Sequence, residues 1–141
     1  MTHYKSETVF SLFAMLASRR YDDAVDILAT LLASQENIIS IIAGMVYQIK
    51  NAIRIKQNCI EGMSIKSACM AVGVRGGYTA HNQYGDFIAH VPLLSLQKML
   101  CVCQETDATV REGYTARYQN LLVSKMMYDI IAKLQSSEKC A

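Results

Sequence analysis

Apolar residues recur every three or four positions along almost the whole chain. That spacing belongs to helices, because strands alternate with a period of two. The 141 residues include one proline and seven glycines, too few breakers for the many turns of a β-sandwich. This length supports one hydrophobic core with room for an arm, whereas two full domains would be cramped. Residues are 52% hydrophobic and 18% charged, a mixture that excludes a disordered chain. The expected fold class is all-α, a single helical bundle of about seven helices.

The helices can be placed from their faces and caps. Ser6 is suited to cap a first helix with Val9, Leu12, Phe13 and Leu16 on one face. After the connector Ser18-Arg19-Arg20, a second helix turns Tyr21, Val25, Leu28 and Leu32 inward and sets Asp22 and Asp23 near its positive N-terminal end. The two should close as an antiparallel hairpin. Residues 35–61 read as one long helix with a stripe of Ile38, Ile42, Met45, Ile49, Ile53 and Ile60, widened by Ile39, Val46 and Ile55 and stopped by Gly62. Ser64 caps a short helix carrying Ile65, Ala68 and Val72, and the glycine-rich run 73–77 leads to another over 78–90 with Tyr84, Phe87 and Ile88. Pro92 opens a sixth helix over 93–112, with Leu96, Leu100, Cys103 and Val110 on one face. A seventh, over 115–134, carries Tyr118, Leu122, Val123, Met127, Ile130 and Leu134.

Composition and motifs exclude several function classes. A net charge of +2 argues against binding nucleic acid through bulk charge. Cys59, Cys69, Cys101, Cys103 and Cys140 are odd in number, which argues against a disulfide framework. The polar opening residues do not make a secretory signal, and the most apolar stretch, 38–47, is short of the ~20 residues that span a bilayer. A reducing, cytoplasmic setting without a membrane partner follows. The loop 73–77 lacks the Lys-Ser or Lys-Thr that grips phosphate and magnesium. His3, His81 and His90 share no ligand spacing, and there is no Cys-x-x-Cys. Cys101 and Cys103 point to nearly opposite helix faces and read as buried apolar cysteines. Ser95 to Lys98 and Ser136 to Lys139 match Ser-x-x-Lys, but the companion Lys-Thr-Gly is missing. The three histidines suggest no Ser-His-Asp arrangement. No catalytic residue, metal or cofactor is therefore expected.

Three features carry a possible function. Residues 64–87, two short helices around a Gly-Val turn, have the outline of a helix-turn-helix. The segment that would read DNA has no Lys or Arg and carries Asp86, whereas phosphate contact needs cations. Lys50, Arg54 and Gln57 lie a turn apart on the long helix with Lys56 to one side, a solvated face or a contact to DNA or a partner. Asp107 falls on an apolar stripe, where an unpaired buried carboxylate costs several kcal/mol. Arg111, one turn on, is placed to form a structural ion pair with it.

The order of the motifs adds a resemblance. Val9-Phe10-Ser11-Leu12 opens a helical pair that ends at Leu31-Leu32. A long helix with the spaced cations Lys50, Arg54 and Lys56 closes on Gly62-Met63-Ser64, and a short helix runs into Ala71-Val72-Gly73-Val74. Asp107, Arg111 and Gly113 then keep the spacing of an Ala-Asp-x-x-x-Lys-x-Gly pattern. Taken together, over 9–134, the chain resembles the C-terminal part of the delta subunit of bacterial DNA polymerase III, a subunit of the sliding-clamp loader. It departs from that family in Arg111 where Lys is usual, in Leu121-Leu122 where Leu-Glu is usual, and in Arg75-Gly76-Gly77 where a proline is usual.

This resemblance implies a helical collar domain over 9–134, with an arm over 1–8 and a polar tail over 135–141. In that family collars associate into a ring while AAA+ modules handle ATP and the clamp, and delta is not an ATPase. The implied role is a non-catalytic assembly domain that holds delta in the loader during DNA replication. It would act within the DNA polymerase III holoenzyme, a DNA-directed DNA polymerase, in the bacterial cytoplasm. The implied partners are the motor and delta-prime-type subunits through collar packing, with primer-template DNA framed indirectly. A collar helix needs one face for its own core and another for a neighbour, which suits the broad stripe over 35–61 and the Met126-Met127 pair. The competing class is a DNA-binding regulator using residues 64–87.

Overall fold

Helix α3 (Ile38–Ile60) is the axis of the structure, packing against α1 (Thr2–Ala17), α4 (Ile65–Val72), α5 (Gly77–His90), α6 (Leu93–Val110) and α7 (Ala116–Cys140). α2 (Tyr21–Ala33) lies on α1 and α7, α6 lies on α7, and α5 lies on α1 and α4. The computed structural model describes the backbone of residues 2–74 and 77–140 and the side chains of 9–74 and 77–137. Within them there are seven helices and no strand, so the all-α bundle expected from periodicity is what forms. Arg75 lies outside the described residues, and Ser6 falls inside the first helix rather than at its cap. The first helix begins at Thr2 and the last runs to Cys140, past the point where the apolar period ends, and Ser137 is buried.

Local chemistry sets the helix ends. Asn37 caps α3 by accepting the Ser40 amide at 3.2 Å, so the helix starts three residues later than the periodicity alone suggests. The Ser64 hydroxyl accepts the Ser67 amide at 3.2 Å at the start of α4. Gly62 adopts φ +105° after α3 and donates to Cys59 O at 3.0 Å, closing the helix in a left-handed turn. Within α3, Gly44 leaves room for Val9 of α1, whose Cγ1 would lie 2.6 Å from any Cβ at that position.

The core corrects several inward faces. α2 buries Ala24, Leu28 and Leu31, while Tyr21, Val25 and Leu32 are half-buried. The helix is rotated toward its small residue, Ala24, which permits close packing. α3 buries Ile41, Ala52 and Ile55 along with Ile38, Ile42, Met45 and Ile49, whereas Ile53 is half-buried and the terminal Ile60 is 66% exposed. In α6, Met99 rather than Leu100 joins Leu96, Cys103 and Val110 in the core. Val123, Met127, Ile130 and Leu134 of α7 are buried as expected; Leu122 is half-buried and Tyr118 is exposed. Phe13 of α1 meets the rings of Tyr84 and Phe87 at 5.4 and 4.9 Å, joining α1 to α5 through tilted and edge contacts.

α3 also revises the estimate of apolar length. It is 23 residues long and includes an 18-residue stretch of mean hydropathy 1.3, so by those measures it is long and apolar enough to cross a membrane, although the most apolar run alone is not. In the bundle the helix is the one against which most others pack, the situation of a core helix.

Candidate interaction surface

The two central elements, α3 and α5, meet through polar as well as apolar groups. Gln48 and Asn51, three apart on α3, are both buried and both reach the Tyr84 hydroxyl of α5. Tyr84 donates to Gln48 Oε1, and Asn51 Nδ2 donates to the Tyr84 oxygen at 3.3 Å. Burial pushes the Tyr84 phenol up to about 12, with the Asn51 hydrogen bond acting in the opposite direction. A buried network of this kind is costly if half-satisfied and orienting if complete. The sequence reading missed Gln48 and Asn51. Their signal was two amides at helical spacing inside an isoleucine stripe.

The cations of α3 separate into two groups. Lys56 Nζ donates to the Ile88 carbonyl at 2.7 Å, occupying one of the acceptors left free in the last turn of α5. Lys56 is thus part of the bundle's own packing. Lys50, Arg54 and Gln57 are exposed, and Tyr47, 59% exposed, precedes them on the same line. The resulting strip is polar and cationic with one aromatic.

Asp107 and Arg111 make an ion pair, Arg111 Nε to Asp107 Oδ2 at 2.9 Å, with side chains 31% and 57% exposed. Asp107 is on α6 and Arg111 is its C-cap residue, so the pair fastens the end of one helix. At that exposure it contributes no more than about 1 kcal/mol.

The remaining chemistry is sparse. Among the described residues no three His, Cys, Asp or Glu side chains gather as a metal site. Cys103 is buried, and burial pushes its thiol up to about 12. The Cys69 thiol is also raised, chiefly by burial. Neither is an activated nucleophile, which would need a lowered value. Cys101, contrary to the buried reading, is exposed, as its position opposite Cys103 requires. The outer face of α5 shows Thr79, Asn82 and Asp86 to solvent, with none of the cations that a DNA-reading helix uses.

A family model described as the DNA polymerase III delta subunit, C-terminal domain, matches residues 6–130. The chain belongs to this family. No curated protein and no solved structure matches it. Membership in the delta C-terminal family supports a clamp-loader subunit role, and the helical bundle is consistent with it. The matched span contains both the Lys50–Arg54 strip and the Asp107–Arg111 pair.

Proposed function

We propose that this chain is a non-catalytic assembly domain that holds a delta subunit in the sliding-clamp loader of DNA replication. Its region 9–134 packs, collar-like, against the motor and delta-prime-type subunits in the bacterial cytoplasm. Primer-template DNA is framed by the assembled ring, and Lys50 and Arg54 face either that DNA or a neighbouring subunit. The family match over residues 6–130 carries this reading. Broad helix faces support it, since a ring built from unlike neighbours requires two different packing surfaces on each member. The mechanism is heterologous helix packing that needs no nucleotide, because the contacts are between side chains of different chains.

Competition tests the proposal. Excess chain, added while the loader is assembled from its purified subunits, should displace full-length delta from the motor subunit and reduce clamp loading in proportion. Unchanged incorporation of full-length delta at a large excess of the chain would overturn it.

A further inference from the structure

The outer face of α7 is not the charged face that a bundle helix ordinarily turns to water. Val123, Met126, Met127, Ile130, Ile131 and Leu134 are buried. On the opposite side Tyr118, Leu121, Lys125, Tyr128 and Ala132 follow one another at alternating steps, and all are exposed. Leu121 is 62% and Tyr128 59% exposed. Tyr114 extends the line before the helix, its ring 4.8 Å from that of Tyr118. Isolated exposed apolar residues are ordinary, but a continuous line of them is not. Alternating three- and four-residue steps are the seam spacing by which one helix receives another, and tyrosine is enriched in such contacts. Beside Tyr128 an open groove of 350 Å³ between α2 and α7, lined by Val25, Leu28, Ala29, Leu32 and Met127, offers space for a partner's side chains.

Charge identifies the occupant. Lys125 stands near the middle of the line. A second copy paired about that centre, parallel or antiparallel, would set Lys125 against its own counterpart in a seam losing water, where like charges repel strongly. Asp129 lies 3.6 Å from Lys125 with both side chains well exposed, a loose pair that leaves the lysine available. Arg117, exposed one step from Tyr118, sets a second cation beside the line. We infer that the Tyr118–Leu121–Lys125–Tyr128 face of α7 seats a helix of another loader subunit, one that carries an apolar ridge and a carboxylate opposite Lys125. This rests on the assembly reading above and names the face it uses.

The test is a titration of the fluorescently labelled chain with the purified motor subunit and, separately, the delta-prime-type subunit. Leu121→Glu and Tyr128→Ser should each weaken binding by about tenfold or more, and Lys125→Glu by about tenfold. Glu105→Gln on α6 should stay within about twofold. All four positions are exposed, and urea midpoints check that the variants remain folded. If the unmodified chain binds and the α7 variants bind equally well, the α7 face is refuted while the assembly reading survives. No binding of the unmodified chain to either subunit refutes both. A homodimer abolished by Leu121→Glu overturns the choice of occupant. So does binding of a single-stranded oligonucleotide that depends on Tyr118 and Tyr128, since stacked bases also use aromatic lines.

Discussion

Lys56 Nζ lies 2.7 Å from the Ile88 carbonyl oxygen, joining the C-terminal half of α3 to the last turn of α5. The ammonium faces the negative end of the α5 dipole and satisfies an acceptor that the helix cannot. Lys56→Met keeps the aliphatic stem but removes the donor, and should lower stability by about 1–2 kcal/mol. Lys50→Met and Arg54→Met, at exposed positions, should stay within about 0.5 kcal/mol. Urea denaturation of the three variants measures the difference.

Tyr84→Phe removes the hydroxyl shared by Gln48 and Asn51 and strands two buried amides. The expected loss is about 2 kcal/mol. Combining Tyr84→Phe with Gln48→Leu should cost less than the sum of the single changes, because the second substitution removes a group the first has left unpaired. A double-mutant cycle by denaturant unfolding reads the coupling.

Alkaline pH tests the same network through linkage. The Tyr84 phenol ionises at about 12 in the folded chain and near 10 when unfolded. The protonated form is favoured by folding, so its contribution is complete below pH 10 and is lost as pH rises from 10 through about 12. Cys103, also raised to about 12, acts in the same direction from its lower unfolded value. Unfolding midpoints should therefore fall steeply above pH 10, and less steeply in Tyr84→Phe when each is compared with its own midpoint at neutral pH.

Much of the architecture was legible in the sequence because helices announce themselves by period and by caps. Ser64, Gly62 and the inward Tyr84, Phe87 and Ile88 lie where spacing puts them. The rotation of α2, and the burial of Ile41 and Ala52 rather than Ile53 and Ile60 on α3, were not legible. A helix with apolar residues on more than one side can turn several ways, and neighbours such as α1 and α7 decide which side is buried. The Lys56–Ile88 bond spans 32 residues and exists only once α3 and α5 have docked. For the same reason Tyr118 reads as core from period alone, since a residue fit for a core is equally fit for an interface.

Gln35 occupies the left-handed region, φ +60°, in the turn after α2, a conformation that costs a side chain about 1 kcal/mol. Glycine meets no such penalty, so Gln35→Gly should raise stability by about 1 kcal/mol, while Gln35→Ala should not. Thermal unfolding of both variants decides this.

Thiol accessibility checks the packing of α6 and α4 independently. Cys101 is exposed, while Cys103 and Cys69 are buried with raised ionisation. Maleimide labelling of the native chain followed by peptide mapping should find Cys101 modified promptly, and Cys69 and Cys103 modified only on unfolding. Early labelling of Cys103 would contradict the packing of α6 against α3.

Light scattering on a sizing column, with the chain run alone and then mixed with the loader's motor subunit in nucleotide-free buffer, tests the assembly role most directly. The account predicts a monomer alone and a shift into a stoichiometric complex in the mixture. A stable homodimer that ignores the motor subunit would contradict it.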